Sequence, residues 1–503
     1  MTPSFLTAIA ACLLALGGCA SSHAAAQYPL EAHPPVVFIA FDEFSTTSLV
    51  GAHGRIDAVR YPNFAALAQD GNWFPYATAP ADETKRAMAA LLTGSFGGRA
   101  RPPTYAANPR NLFTLLGRAY RVRADEEVTS MCPHRLCPHE RQQNKRSVLH
   151  KLGGGRPERF ERWIRSIRAT QRPTLFFKHV LMPHGPWRYL PSGRQFALHE
   201  PIPDWGHAFG VRWVTSQKYQ RHLLQLGYVD KLLGDAMRRL KAQGLYDRAL
   251  IVVTADNGES FGRIGNGHEV SRSNFGDIAL TPLLIKRPFA HDGSVIARHV
   301  RTIDVLPTVA SIAHVRPRRQ LQGHSVFGGS ARLIPSATLV YQRSGRRFRL
   351  TAAGLRRWAA AAQRLKLRLF GAGDGRPGLY GIGPYRGVVG DSPASLRPAP
   401  AGRTRAALDD GRAFASVRLS SGFIPSYVTG RLTGAGARPP RAVAIVVNDR
   451  IAATSPTFRV HRGGPLYFAA LVPETAFHEG RNPVSAFALS GSGRRPRLTA
   501  LSG

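Results

Sequence analysis

Val36-Val37-Phe38-Ile39-Ala40-Phe41-Asp42-Glu43 is the stretch that decides the fold of this chain. Its β-branched and aromatic residues predict a strand buried on both faces, as in a parallel sheet. Leu250 to Ala255 repeats the pattern and ends at Asp256-Asn257, and the apolar run from Thr174 to Leu181 precedes Pro183-His184. Ligands of such sheets bind beyond the carboxyl ends of the strands, so we expect these polar residues to share one site.

Helical patterns lie between the apolar runs, notably from Pro62 to Gly71, from Ser216 to Lys241 and from Asp304 to Ala313. Strands that alternate with helices predict an α/β fold with a mainly parallel central sheet flanked by helices. We place this predicted catalytic domain at residues 34–330.

The rest of the chain does not continue this alternation of strands and helices. Residues 331–403 are predicted to be a linker, rich in Gly and Pro towards its end, that carries a basic helix from Ala352 to Leu369. Residues 404–503 contain short runs typical of strands, including Ala442 to Ile451 with a turn at Asn448-Asp449. They predict a small C-terminal β-sandwich domain, which contains no catalytic cluster.

The chain is strongly basic, with 68 Lys and Arg against 31 Asp and Glu and a formal charge of +37 over 503 residues. Such a charge attracts nucleic acid, anionic lipid headgroups or acidic polymers. Most of the cations are scattered Arg residues, with no dense basic block among aromatics and no zinc-finger spacing, so we expect no specific nucleic-acid partner. An Arg-rich background remains the alternative to a real anionic partner.

The N-terminus predicts export. Phe5 to Leu16 is apolar apart from Thr7 and has the length of a signal-peptide core, and Leu16-Gly17-Gly18-Cys19 resembles a bacterial lipobox. We therefore expect residues 1–26 to hold a signal peptide of the lipoprotein type, with Cys19 lipidated and the protein anchored to the membrane in the periplasm or at the cell surface. The first five residues lack Lys and Arg, and a plain secretory signal cleaved near Ala24-Ala25-Ala26 is the alternative.

Two cysteines remain outside this leader, Cys132 and Cys137, in a Pro-rich stretch. In an oxidising compartment two thiols at this spacing predict a local disulfide. The alternative is a zinc clip completed by His134 and His139.

Several side chains have the chemistry of metal ligands, nucleophiles or anion contacts. Asp42-Glu43 and Asp256-Asn257 offer the oxygen ligands that hard divalent cations prefer, although such residues are also common turn formers. Thr84 is predicted at the start of a helix, where it is either an N-cap or a nucleophile beside an anion site. Lys85 and Arg86 follow it as either solvated cations or phosphate contacts.

These segments together resemble the alkaline phosphatase superfamily, specifically its sulfatase-like domain. Thr84 to Gly94 resembles the family's nucleophile segment, with Ala90-Leu91-Leu92-Thr93-Gly94 matching well. The resemblance implies that Thr84 is the nucleophile. The resemblance also implies that His184 and His268 contact the substrate. It implies a metal site formed by Asp42, Glu43, Thr84, Asp256 and Asn257.

Departures from the family pattern refine the expected chemistry. Sulfatases of this family convert a Cys or Ser to formylglycine, which Thr84 cannot become, and Thr here resembles the phosphoglycerol and phosphoethanolamine transferases. Asn257 is a poor zinc ligand, so we expect one divalent cation, with Ca or Mg favoured over Mn or Zn. His179 and His53 lack a motif context and are interpreted as structural or surface residues.

The leading hypothesis is an extracytoplasmic metal-dependent hydrolase or transferase. Thr84 would attack a phospho-ester of an anionic envelope lipid or polymer, Lys85 and Arg86 would bind the substrate, and His184 and His268 would hold its oxygens or protonate the leaving group. Two alternatives stay open, namely a sulfuric ester hydrolase that works without formylglycine and a non-catalytic envelope-binding protein on the same scaffold.

Overall fold

The computed structural model describes residues 33–96, 101–139, 145–198, 211–261, 269–328, 333–340, 345–372, 378–434, 439–491 and 496–502. The predicted lipidation site Cys19 and the predicted catalytic residue His268 lie outside these ranges.

The strands of the described residues are β1 Val36–Asp42, β2 Asn72–Trp73, β3 Ala77–Thr78, β4 Arg121–Asp125, β5 Thr174–Pro183, β6 Leu250–Ala255, β7 Leu283–Lys286, β8 Ser294–Val295, β9 Val300–Arg301, β10 Ser336–Val340, β11 Arg347–Thr351, β12 Arg405–Leu408, β13 Tyr427–Thr433, β14 Ala442–Val447, β15 Arg450–Pro456, β16 Leu466–Leu471, β17 Val484–Ser490 and β18 Arg497–Ala500. The helices are α1 Thr46–Leu49, α2 Pro62–Asp70, α3 Thr84–Thr93, α4 Leu112–Leu116, α5 Lys145–Gly153, α6 Arg156–Ser166, α7 Arg212–Ala242, α8 Phe275–Ala279, α9 Val305–Ile312 and α10 Ala352–Phe370.

The main sheet has the strand order β4-β5-β1-β6-β7-β2-β8. Its central strands β4, β5, β1 and β6 run parallel, whereas β7 pairs antiparallel with β6 and β2. The prediction of a mainly parallel α/β sheet is therefore confirmed, and β1 lies between two parallel neighbours.

Strand β1 is buried along its whole length, as its apolar sequence predicts. Side chains of a strand alternate between faces, so Val37, Ile39 and Phe41 enter the core on one side of the sheet. Val36, Phe38 and Ala40 enter the core on the other side. Two apolar cores thus fix the sheet from both faces and hold the carboxyl end of β1 in place.

The C-terminal strands form two antiparallel sheets, with the orders β12-β13-β16 and β15-β14-β17-β18. Apolar residues of both sheets share one core, which agrees with the predicted sandwich. The hairpin between β14 and β15 turns at Asn448 and Asp449. Both residues have a positive φ, as the tight two-residue turn of a hairpin requires.

Long helix α7 connects these sheets to the main domain. The indole N–H of Trp213 and the side-chain amide of Gln217 both donate to the carbonyl of Ala469 on β16, at 2.9 and 2.7 Å. Gln217 also accepts from the hydroxyl of Tyr427 at 3.0 Å. The two parts of the chain therefore meet through buried polar contacts.

Helix α10 lies within the segment predicted to be a linker, and it packs on the main domain. The ammonium of Lys366 is buried and donates to the carbonyl of Ser48 at 2.9 Å, and the indole of Trp358 donates to Asp277 at 3.0 Å. Helix α10 thus contacts α1, which follows β1, and α8, which precedes β7. Within the described residues, none of the helices combines the length and apolar character that a membrane crossing requires.

Candidate active site

Three side chains from neighbouring strands meet at the carboxyl end of the main sheet. Asp42 ends β1, Asp256 follows β6 and His179 lies on β5. Because β1 pairs with β5 on one side and with β6 on the other, both neighbours bring their residue to Asp42. One ligand atom from each of the three side chains lies within 4.8 Å of the others. This grouping is a possible metal site.

Several polar atoms of this group and of the adjacent Asn257 are buried without a hydrogen-bond partner among the described residues. They are both ring nitrogens of His179, Oδ1 of Asn257 and Oδ2 of Asp256. Leaving such an atom unpaired costs about 1–3 kcal/mol, so native structures avoid it. Carboxylate, amide and imidazole groups are all donors to divalent cations. A cation at this position would take one ring nitrogen of His179 and oxygens of Asp42 and Asp256, so the residues present fit a cation.

The carboxyl group of Asp256 is oriented by the backbone. Its Oδ1 accepts N–H groups from Glu43 at 3.2 Å and from Asn257 at 2.6 Å. Burial raises the pKa of Asp256 well above its usual range, and the nearby Asp42 carboxylate raises it further, although the Thr84 hydroxyl and both N–H groups oppose this. Two carboxyl groups held this close repel each other when both are ionised, and a cation between them would offset that repulsion.

Thr84 lies at the first position of α3, and Glu83 before it occupies the N-cap. The N-cap alternative for Thr84 is therefore wrong, because its hydroxyl turns instead to the sheet. There Oγ1 donates to Oδ1 of Asp42 at 3.3 Å. Thr84 thus places a hydroxyl against the carboxylate group, at the helix end whose dipole favours anions.

Lys85 and Arg86 share this first turn of α3. Lys85 is exposed and Arg86 is partly exposed. Neither forms an ion pair with another residue in the described part of the chain. Their contact with a substrate anion stays a prediction.

Glu43 leaves the strand through a left-handed backbone with φ of 55°. Its Oε1 lies 3.1 Å from Nε2 of His184, and Nδ1 of the same ring lies 2.6 Å from the carbonyl oxygen of Gly185. Among the described residues, the group of three around Asp42 does not include Glu43. The structure therefore pairs the predicted metal ligand Glu43 with the predicted substrate contact His184.

The segment that carries His184 is held by two side chains. The guanidinium of Arg156 is buried and donates to four backbone carbonyls between Leu181 and Pro186. The amide of Gln225 donates to the carbonyls of Pro183 and His184, each at 3.0 Å. Arg156 begins α6 and Gln225 lies on α7, so two helices fix the position of the His184 ring.

Two residues near this site are not predicted from the sequence. The first is His179, which the sequence pattern assigns to structure, because only the pairing of β5 with β1 brings it to Asp42. The second is Lys218 on α7, whose Nζ lies 5.9 Å from the ring centre of Trp187. Burial lowers the pKa of Lys218, while the carboxylates of Glu259 and Glu43 raise it. The amphipathic pattern of α7 gave no reason to separate Lys218 from the other surface cations.

The chain just after residue 268 returns to the loop before Thr84. The N–H of Val270 donates to Oδ2 of the buried residue Asp82 at 3.1 Å. This contact joins the segment that contains Glu269 to the candidate nucleophile loop, while His268 itself lies outside the described residues.

Cys132 and Cys137 are joined by a disulfide. Zinc binds thiolates, which a disulfide cannot supply, so the zinc clip with His134 and His139 has no thiolate ligand in this state.

A family model for the sulfatases matches residues 34–315, which contain the strands and loops of this site. No curated protein matches the chain.

Solved structures with a similar backbone include two phosphonate monoester hydrolases. The one from Silicibacter pomeroyi is 18% identical, with 67% of this chain and 96% of that chain covered and a TM-score of 0.46. The one from Agrobacterium radiobacter is 16% identical, with 67% and 95% covered and a TM-score of 0.44. A 2-O GAG sulfatase is 14% identical, with 64% and 81% covered and a TM-score of 0.47.

Proposed function

Because the chain belongs to the sulfatase family of the alkaline phosphatase superfamily, we propose that it is a metal-dependent hydrolase or transferase that cleaves phosphate esters with Thr84 as its nucleophile. The observation that carries this proposal is the hydrogen bond from the Thr84 hydroxyl to Asp42, inside a buried group of metal-type donors. A hydroxyl at this position can approach a phosphorus centre that the same cation binds.

The cation would be held by Asp42, Asp256 and Asn257, with a ring nitrogen of His179 as a further donor. When bound, it would neutralise charge on the phosphoryl oxygens. Carboxylate and amide oxygens favour Ca or Mg, whereas an imidazole donor adds a preference for Mn or Zn. Metal analysis of the purified protein identifies the ion.

The proposed reaction has two steps, and each forms one bond to phosphorus and breaks another. The Oγ of Thr84 forms a bond to phosphorus while the bond from phosphorus to the leaving alcohol breaks; the hydroxyl loses its proton and the alcohol gains one. Water or an acceptor alcohol then attacks the phosphothreonine, releases the phosphoryl group and restores the hydroxyl. Glu43 and the Gly185 carbonyl contact the two ring nitrogens of His184, so a substrate contact by this ring would require it to leave one of them. Lys218 would supply a positive charge for the substrate anion.

A sulfate ester is the second candidate substrate, favoured by the family match and by Asn257, which resembles the sulfatases at a position where the phosphotransferases usually carry His. Thr84 lacks the second hydroxyl with which formylglycine expels sulfate, so we favour phosphate. Turnover of aryl phosphate monoesters and diesters should be compared with turnover of aryl sulfates. Cleavage of the phosphates supports the proposal, and cleavage of the sulfates alone contradicts it.

We further propose that the enzyme works outside the cytoplasm, anchored through a lipid on Cys19. The proposal rests on the leader sequence and the lipobox. Metabolic labelling with a radioactive fatty acid should mark the protein, and a Cys19→Ser variant should lose the label. An unlabelled protein found free in the periplasm would support the plain secretory signal instead.

A further inference from the structure

An arginine-lined cavity lies away from the candidate active site. It has a volume of about 320 Å³, and its lining includes Arg110, Arg118, Arg135, Arg318 and Arg319. A second cavity of about 670 Å³ shares Arg319 and adds Arg316. None of the described residues that line the two cavities is acidic. These six arginines are called the arginine face below.

The arginine face lies at the far end of α3 from Thr84. Arg319 donates to the carbonyl of Thr93, the last residue of α3, at 3.2 Å. A helix of this length separates its ends by about 15 Å. Arg118 also lies just before β4, at the amino end of that strand. The arginine face therefore lies at the amino ends of the parallel strands, opposite to the carboxyl ends that carry Asp42 and Asp256.

The charges of this face have no acidic partners among the residues that the structure describes. In the described part of the chain, none of the six arginines forms an ion pair, and all except the half-buried Arg319 are exposed. The Nε of Arg319 has no hydrogen-bond partner in the same part of the chain. Like charges held together repel each other, and bound anions would offset that repulsion. Guanidinium groups bind phosphate oxygens through paired hydrogen bonds.

The chain enters the domain at His33, at the same end of the sheet as the arginine face. Nδ1 of His33 lies 2.9 Å from the carbonyl oxygen of Ala313, three residues before Arg316. The residues between the predicted lipidation site Cys19 and His33 span about 50 Å at most when fully extended. A lipid anchor at Cys19 would therefore keep this end of the sheet within about 50 Å of a bilayer.

We propose that the arginine face binds the phosphate headgroups of an anionic phospholipid bilayer. The cavity supplies cations for the phosphates, and Leu115, Leu306 and Leu321 line its apolar part. Membrane binding of this kind combines one lipid chain with a basic surface, because a single chain anchors only weakly. A protein docked in this way presents its candidate active site to the aqueous side of the envelope.

Vesicle sedimentation tests the proposal on the chain from Ala20 onward, which keeps every described residue and lacks the lipidation site. The protein should sediment with vesicles that contain phosphatidylglycerol and stay free with phosphatidylcholine vesicles. The triple variant Arg110→Ala, Arg118→Ala, Arg318→Ala should lose vesicle affinity by roughly a hundredfold, given the usual contribution of each cation near an anionic surface.

A matched triple variant, Arg386→Ala, Arg412→Ala, Arg481→Ala, removes the same charge from exposed positions in the C-terminal part of the chain. It should lose less than tenfold in affinity. Equal losses in the two triple variants would show that net charge alone drives binding and would overturn the proposal. Release from the vesicles by millimolar inorganic phosphate would show a site for free phosphate, which also overturns it.

Discussion

The hydroxyl of Thr84 donates to Oδ1 of Asp42 across 3.3 Å and so joins the first turn of α3 to the carboxyl end of β1. The contact links the candidate nucleophile to the candidate metal centre. Asp42 is also the residue that connects His179 and Asp256, because its strand lies between theirs. The proposed chemistry therefore depends on one strand end and one helix start.

A first prediction concerns His179. His179→Gln should lower metal affinity by at least tenfold if the ring is a ligand, since even residues that only orient ligands contribute about 10- to 100-fold. His222→Gln is the matched control, because burial lowers the pKa of both histidines to about 3 and His222 contacts Ser48 instead. Metal content after dialysis measures the effect. An equal metal content in the two variants would remove His179 from the site.

The location of this site was predictable from the sequence, because apolar runs that end at Asp42 and Asp256 predict parallel strands with acids at one edge. The role of His179 was not, since the pattern does not say which strand lies beside β1. The contact of Glu43 with His184 depends on the left-handed turn at Glu43 and on loop contacts far apart in sequence. The packing of α10 likewise rests on side chains such as Lys366, whose partner lies in α1.

A second prediction concerns the clamp on the His184 segment. Arg156→Ala should lower the free energy of unfolding by about 2–4 kcal/mol, because it leaves buried carbonyls without donors. Arg162→Ala on the same helix removes an exposed guanidinium and should change stability by less than about 0.5 kcal/mol. Urea unfolding of both variants measures the difference. Similar small losses would show that Arg156 does not hold the segment.

A third prediction concerns pH. Glu127 is buried, which disfavours its charge, but Lys178, Arg159 and Lys151 outweigh this and lower its pKa from 4.5 to about 2. A carboxyl group whose pKa is lowered by folding stabilises the protein above its unfolded pKa, and this contribution is lost as pH falls from about 4.5 towards 2.

Between pH 6 and pH 3, the free energy of unfolding should therefore fall by about 2 kcal/mol more for the unsubstituted protein than for Glu127→Gln. Urea unfolding at both pH values measures this difference. Parallel pH dependences of the two proteins would show that Glu127 is not stabilised by its cations.

A fourth prediction concerns Lys218. Lys218→Ala should lower kcat/KM for anionic phosphate esters by about 10- to 100-fold, the usual contribution of a hydrogen bond to a charged group. Lys218→Arg keeps the charge and should retain most of the activity. Lys241→Ala removes an exposed cation from the same helix and serves as the control. Loss of activity in the control, or none in Lys218→Ala, would contradict a substrate contact.

A search for phosphate on Thr84 tests most directly whether this residue is the nucleophile. The metal-loaded protein is mixed with an aryl phosphate, quenched with acid during turnover and analysed by peptide mass spectrometry. We expect a phosphorylated Thr84, no such peptide in Thr84→Ala, and a loss of turnover in that variant by roughly 10⁴-fold or more. Undiminished turnover by Thr84→Ala, or turnover with the phosphate never found on Thr84, would contradict it.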